Sequence, residues 1–205
     1  MAIKLASIFF TMILVDNYVL AKFLGICPFL GVSKKLDSAV GMSLAVTFVM
    51  VMATAATWPI YTYILSPEWA EGTSRDLGYL QTIVFILIIA ILVQLLENVL
   101  KKFIPALYKA LGVYLPLITT NCTILGVTIL NIDNGYDFAE SIVCAAGAGI
   151  GFLVAMVLFS GVRRRVEEAV TPKCFEGLPI TLVAAAVTSL SFMGFGGIVE
   201  SIFHV

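Results

Sequence analysis

The chain has 205 residues, of which 60% are hydrophobic and only 12% charged, and its formal net charge is −1. Soluble domains are closer to half apolar and a quarter charged, so this composition excludes a soluble globular protein. Leu, Ile, Val and Phe occur in long blocks and do not alternate with polar residues, which predicts membrane-spanning helices and not barrel strands. There is no glycine-rich nucleotide loop and no basic nucleic-acid-binding patch.

Six apolar regions follow one another along the chain. A membrane-spanning helix needs about 20 apolar residues, so we predict an all-α integral membrane protein with six transmembrane helices. The predicted spans cover residues 3–32, 38–64, 79–100, 103–132, 138–162 and 178–203.

The first and fourth regions are too long for one straight span. A continuous helix of that length would reach about 45 Å, against a hydrocarbon core of about 30 Å. Both regions also contain residues that disfavour an apolar helix: Asp16, Asn17 and Lys22 in the first, and Pro105, Gly112 and Pro116 in the fourth. We therefore predict that the first and fourth helices are discontinuous.

The loop charges are strongly asymmetric. Nine of the twelve basic residues fall in loops on one predicted side, namely Lys34, Lys35, Lys101, Lys102, Lys109, Arg163, Arg164, Arg165 and Lys173. The opposite side is mainly acidic. Basic loops tend to stay in the cytoplasm, so the prediction is a multi-pass protein of the inner (cytoplasmic) membrane with both termini outside.

A short motif, C-x-x-L-G-V, occurs twice, beginning at Cys27 and at Cys122. Its spacing is about half the chain, which indicates an internal duplication within a single membrane domain, residues 1–205, with repeats of about 1–101 and 102–205. Three spans per repeat is an odd number, so the second repeat enters the membrane in the opposite direction. Inverted repeats often place special residues near the bilayer midplane on broken helices, and we predict that depth for both cysteines.

The sequence around the two thiols also predicts a local loss of helix. A residue that precedes proline disfavours helical backbone, so Pro28 predicts non-helical backbone at Cys27. Gly31 and Gly126 are expected to loosen the chain a few residues later.

The duplicated cysteines have four possible roles. A single cysteine in a membrane helix is usually a packing residue, but the same residue at equivalent places in both repeats favours a function. A disulfide between the repeats has no clear use at that depth. Thiolate metal sites and iron–sulfur clusters both need about four ligands, so two cysteines supply half a set and a similar partner would supply the rest. Spacing alone leaves a metal site and a cluster open.

Three segments carry a resemblance to a known family. NYVLAKFLGICPFLGVSKKL (17–36), LGVYLPLITTNCTILGV (111–127) and FMGFGG (192–197) resemble the RnfA family, a membrane subunit of the Rnf complex. The resemblance covers the whole chain, and the two cysteine segments are specific. The sister family NqrE, of the sodium-pumping NADH:quinone reductase, shares the pattern.

The resemblance implies an electron-transfer subunit of a translocase, a ferredoxin:NAD+ oxidoreductase coupled to Na+ or H+ transport. It implies a [2Fe-2S] cluster shared with the homologous membrane subunit RnfE, with Cys27 and Cys122 as this chain's ligands. The other implied partners are RnfB, RnfC, RnfD, RnfG and membrane lipid. The chain has no site of its own for NAD or ferredoxin, so it is not a complete enzyme. The competing hypothesis is an inverted-repeat secondary transporter or channel without a redox centre.

Other residues have weaker signals. Glu97 lies near the end of the third span, where ionisable groups can mark ion paths, and the resemblance to NqrE makes it a candidate for the ion pathway. Asp16 is a possible cation ligand, and Lys22 a possible charge beside a cluster or a snorkelling side chain. Cys144 and Cys174 have no counterpart in the other repeat, and both are interpreted as structural.

Overall fold

The computed structural model of the chain describes residues 2–32, 36–65, 81–103, 121–168, 172 and 177–194, and every regular element in these ranges is a helix. The helices are α1 (Ala2–Leu14), α2 (Ile26–Val32), α3 (Leu36–Ile60), α4 (Gln81–Phe103), α5 (Cys122–Asp133), α6 (Phe138–Glu168) and α7 (Leu178–Met193). A π-helical turn, Tyr61–Leu65, continues α3.

Three helical stretches are long and apolar enough to cross a membrane by themselves, Ser38–Tyr63, Gln81–Val99 and Phe138–Val166. They match the second, third and fifth predicted spans. Shorter apolar helices cover Lys4–Leu14, Cys122–Asp133 and Pro179–Met193. The predicted breaks at Pro105, Gly112 and Pro116, and the basic loop residues Lys34, Lys35, Lys109 and Lys173, lie outside the described residues, and the six-span inverted repeat stays a prediction.

Helix α6 lies at the centre of the fold, with α3 antiparallel to it. At one end, the ring of Trp58 packs edge-on against Phe138 at 5.4 Å, and Trp58 Nε1 donates a hydrogen bond of 3.0 Å to the Tyr136 carbonyl. Halfway along, Thr47 packs so closely on Gly149 that a Cβ at that glycine would overlap the threonine side chain. Small residues permit such close approach of membrane helices.

The first apolar region follows the other side of α6 in two helical pieces. This region runs parallel to α6, because residue numbers rise in both segments from one contact to the next. The contacts are Lys4 with Glu140 at 2.7 Å, Phe9 and Met12 beside Gly147, Met12 beside Gly151, and Leu30 with Arg163. The stretch of α6 from Glu140 to Arg163 is about 35 Å long at about 1.5 Å per residue. The pieces α1 and α2 therefore extend together over a length that matches a membrane.

The interruption between α1 and α2 is held in place by Asn17, which is 1% exposed. Its Nδ2 donates to the Gly151 carbonyl of α6 at 2.8 Å, and its Oδ1 accepts from the backbone N–H of Val19 at 3.1 Å. The prediction that this region is interrupted near Asn17 agrees with the structure. The side chain stabilises the break, because it replaces backbone hydrogen bonds that a continuous helix would have made.

The outer surface of α4 is apolar. Five large side chains along the helix are each at least half exposed: Ile83, Ile86, Leu87, Ile91 and Leu95. The opposite face is buried and includes Phe85, Ile89 and Val93. A helix that buries one apolar face and exposes another is stable where lipid or a partner subunit replaces water.

The two ends of α6 differ in charge. Its beginning carries Glu140, paired with Lys4, and its last turns carry Arg163, Arg164 and Arg165. The sequence alone indicates only that Arg163 is part of a basic loop, but in the structure it is 7% exposed and its Nη1 donates to the Leu30 carbonyl. The arginine thus satisfies a carbonyl in the last turn of α2, where a positive charge also favours the helix dipole.

Candidate functional site

Helix α5 begins at Cys122, and its first turn is fixed by the preceding residue. Asn121 is the N-cap, with extended backbone, and its Oδ1 accepts a hydrogen bond of 3.0 Å from the Thr123 N–H. Asparagine is among the best N-cap residues, because its oxygen satisfies an amide that has no partner within the helix. The cap places the Cys122 thiol at the positive end of a twelve-residue helix.

The sulfur of Cys122 contacts the residue that lies two positions before the other copy of the motif. The backbone N–H of Gly25 donates a hydrogen bond to Cys122 Sγ, with 2.9 Å between nitrogen and sulfur, across 97 positions of sequence. Cys27 follows Gly25 by two residues, so its Cα lies within about 7 Å of the Gly25 Cα. The tertiary structure therefore brings the two C-x-x-L-G-V segments together.

Gly25 is required at this contact. Its φ of +84° is in the left-handed region, and a Cβ there would overlap Thr123 Oγ1 and lie 3.2 Å from Phe152 Cε2. Leu24 makes the reciprocal contact, since a Cβ at Gly126 would lie 2.7 Å from Leu24 Cδ1. The end of the interrupted segment thus lies directly on the first turns of α5.

The contact lies halfway along α6. Phe152, which faces Gly25, comes 12 residues after Glu140 and 11 residues before Arg163. These separations are about 18 Å and 17 Å of helix. The structure therefore places Gly25 and the Cys122 sulfur at mid-depth between the acidic and basic ends of α6.

The backbone at Cys27 differs from the prediction. Cys27 and Pro28 lie in the first turn of α2, so the predicted non-helical backbone at Cys27 is wrong. Proline is tolerated in a first turn, because its missing N–H would have no helical partner there. Gly31 and Gly126 are also inside helices, so neither loosens the chain, and the break instead lies before the motif.

Both thiols lie at the protein surface. Cys27 and Cys122 are free and exposed, whereas Cys144 is free and buried. Among the residues that the structure describes, no group of three or more His, Cys, Asp and Glu side chains could hold a metal ion. Two exposed thiols are half of a four-thiolate ligand set, so this donor set fits a cluster whose other ligands come from a second chain.

Two buried polar atoms beside Cys122 have no hydrogen-bond partner within the described part of the chain. They are Asn121 Nδ2 and Thr123 Oγ1, on residues that are 3% and 0% exposed. Leaving a buried polar group unpaired costs about 1–3 kcal/mol, so native proteins rarely leave such atoms without a partner. Both flank the one thiol that already accepts a backbone N–H.

The other predicted residues lie elsewhere. Cys144 is 0% exposed and belongs to the hydrophobic core, in keeping with a structural role. Cys174 lies outside the described residues. Glu97 is partly buried near the end of α4, and its part in an ion pathway stays a prediction.

Asp16 and Lys22 lie in the interrupted segment and are within reach of each other. Lys22 Nζ is 3.9 Å from Asp16 Oδ1 and 4.9 Å from the centre of the Tyr18 ring, and both charged side chains are more than a third exposed. A loose pair with this exposure contributes little stability. The lysine contacts residues of its own segment, and its influence on a cluster stays a prediction.

Sequence reasoning assigned no role to three residues of this site, Gly25, Asn121 and Thr123, and did not find the contact of Arg163 with α2. Two of them carry a readable signal, since a glycine before the motif and an asparagine immediately before an apolar helix are typical of a left-handed turn and an N-cap. The contacts of Thr123 and Arg163 depend on distant segments and have no local signal.

Together, the apolar helices and the two free, exposed thiols define a helical integral membrane protein with two potential thiolate ligands at its surface. Over residues 5–199 the chain matches the family described as "Rnf-Nqr subunit, membrane protein". The chain belongs to this Rnf-Nqr family, in agreement with the resemblance of its motifs.

Named relatives are similar over nearly their whole length. The chain is 54% identical over 193 residues to the subunit designated A of the Na(+)-translocating ferredoxin:NAD(+) oxidoreductase complex of Acetobacterium woodii, which covers 94% of this chain and 97% of that protein. It is 51% identical over 187 residues to the corresponding subunit of the ion-translocating oxidoreductase complex of Syntrophotalea carbinolica, with coverages of 91% and 93%. It is 52% identical over 188 residues to the protein of the same name from Serratia proteamaculans, with coverages of 92% and 94%.

Proposed function

We propose that this chain is the electron-transfer membrane subunit of an ion-translocating ferredoxin:NAD+ oxidoreductase complex. The names of its relatives support the complex and the reaction. The observation that carries the electron-transfer role is the hydrogen bond from Gly25 to the Cys122 sulfur. It connects the segment before one cysteine motif to the first residue of the other halfway along α6, and a redox centre at that level would shorten the path of an electron across the bilayer.

Cys27 and Cys122 would hold one [2Fe-2S] cluster together with two thiolates of a homologous partner subunit, of the RnfE family. The exposure of both thiols supports this arrangement, because ligands shared between chains must lie at the surface that the partner covers. When bound, the cluster supplies one-electron oxidation and reduction at a site surrounded by hydrocarbon. The protein's own part is to fix the two sulfurs, to exclude water and to provide hydrogen-bond donors.

The coupled ion is Na+ or H+, as the relatives' names indicate ion translocation by their own complexes, with Na+ named for one of them. The basic end of α6 would lie on the cytoplasmic side, with Arg163, Arg164 and Arg165, and the Lys4–Glu140 pair outside, because basic residues are retained in the cytoplasm. Glu97 is the candidate for a residue of the ion pathway.

The test is iron analysis and low-temperature electron paramagnetic resonance (EPR) on the complex purified with all its subunits. We expect a [2Fe-2S] signal on reduction that is lost in Cys27→Ser and in Cys122→Ser. Cys144→Ser is the matched control and should keep the signal, because its thiol is buried away from the site. Cys174→Ser is expected to keep it as well.

The outcome also separates the two classes of function. A complex with all its subunits but no signal that depends on Cys27 and Cys122 would overturn the electron-transfer role. The alternative would then be a secondary transporter or channel. The interrupted helix with its Asp16–Lys22 pair is similar to the discontinuous helices that form binding sites in such proteins.

A further inference from the structure

We propose that Asn121 and Thr123 are positioning residues that set the reduction potential of the cluster held by Cys122. The inference rests on the proposed function and deepens it, since it assigns the control of that site to two uncharged side chains. Neither residue is a ligand, and both act through the sulfur between them.

The arrangement around Gly25 brings the thiol and the two side chains together. Three consecutive residues of the α5 N-terminus surround this glycine: its N–H lies on the Cys122 sulfur, a Cβ would overlap Thr123 Oγ1, and the same Cβ would lie 3.1 Å from Asn121 Oδ1. The thiol and the two polar side chains therefore share one small volume, which also contains the N-terminus of a twelve-residue helix.

Two unpaired donors beside the thiol are an observation independent of the helix end. Asn121 Nδ2 and Thr123 Oγ1 are buried donors with no acceptor among the described residues. The cap uses only the oxygen of Asn121, so its N–H₂ group is left over. Native proteins pair such groups, and a sulfur-rich anion beside Cys122 is an acceptor of the right charge.

The negative charge added on reduction determines the direction in which the two side chains shift the reduction potential. Reduction adds one electron, and hence one negative charge, at the cluster, while no proton or other atom is transferred. The electron arrives from a one-electron donor of the iron–sulfur class and leaves for the next acceptor in the complex. Donors and a helix N-terminus beside the sulfurs stabilise the more negative state, and hydrogen bonds to the sulfurs are a recognised control of cluster potentials. The two side chains should therefore raise the potential.

The experiment is an EPR-monitored redox titration of the intact complex with Thr123→Val and Asn121→Asp. Valine keeps the shape of threonine without its hydroxyl, and aspartate keeps the capping oxygen but replaces the N–H₂ donor. We expect each variant to retain iron and to lower the ratio of reduced to oxidised cluster, at a fixed ambient potential, on the order of tenfold, which is about 59 mV for one electron.

The matched control is Thr128→Val. This threonine is on the same helix and equally buried, but its hydroxyl already donates to the Leu125 carbonyl at 2.8 Å. We expect it to leave the potential unchanged, and Thr123→Ser to restore the wild-type value. Should Asn121→Asp fail to assemble, Asn121→Ser offers a second capping residue without the amide donor.

The outcomes separate the two proposals. Wild-type complex without a cysteine-dependent cluster would overturn the proposed function and this inference with it. A cluster whose potential is the same in Thr123→Val and in wild type, or shifts equally in Thr128→Val, would overturn this inference alone.

Discussion

Gly25 donates its backbone N–H to the sulfur of Cys122 at 2.9 Å, and thereby connects the segment before one cysteine motif to the first residue of the other. The contact needs a residue without a side chain, because the backbone is left-handed and faces Thr123 and Phe152 at the same time. A hydrogen bond to sulfur, a helix N-terminus and an exposed thiol thus coincide at one point halfway along α6.

Gly25→Ala should destabilise the protein and reduce its iron content. The added methyl group overlaps Thr123 Oγ1, and a φ of +84° is unfavourable for alanine by about 1–2 kcal/mol before any overlap is counted. The measurement is the midpoint of thermal unfolding in detergent, with iron per complex determined on the same sample.

Gly31→Ala is the control for that experiment, because a Cβ at Gly31 meets no atom within 4 Å and the residue lies in α2. We expect no loss of stability there. Equal losses in both variants would mean that the packing at Gly25 is unimportant.

Asn17→Ala should lower the free energy of unfolding by roughly 1–3 kcal/mol, because it leaves the buried Gly151 carbonyl and the Val19 N–H without their partner. Thermal or denaturant unfolding of the purified subunit complex measures this. The exposed Asn134, changed to alanine in the same way, should have little effect. A wild-type midpoint in Asn17→Ala would show that the interruption is stable without this side chain.

Arg163→Gln should weaken the attachment of α2 to α6. The arginine is buried and donates to the Leu30 carbonyl. Glutamine is shorter and carries no charge, so it loses this charged hydrogen bond. We expect a loss of about 1–3 kcal/mol, measured by unfolding. Arg164→Gln serves as the comparison, since the Arg164 side chain is 84% exposed and lies only loosely beside Glu168 at 3.7 Å. An equally large loss of stability in Arg164→Gln would mean that the removal of a positive charge, and not the loss of the α2 contact, destabilises the protein.

The two ends of α6 should be accessible from opposite sides of the membrane. With a membrane-impermeant maleimide, we expect Lys4→Cys to react in right-side-out vesicles and Arg164→Cys in inside-out vesicles, each above the background of the unmodified chain. Both native side chains are well exposed. The reverse pattern would invert the proposed topology, which rests on the positive-inside tendency.

The sequence by itself determined the class of protein, the positions of the long helices and which two cysteines belong to the repeated motif. These depend on local properties: apolar block length, loop charge and a repeated hexapeptide. It also located the interruption of the first region near Asn17, because polar and charged residues are costly inside a continuous apolar span.

Only the tertiary structure decided how the break is made and where the motifs meet. Local rules also predicted irregular backbone at Cys27, but the proline is accommodated in the first turn of α2, and the break is confined to the segment that Asn17 bonds to α6. The meeting of Gly25 with Cys122 joins residues 97 positions apart. Such a contact arises from the packing of helices that the chain connects only distantly, and no local propensity records it.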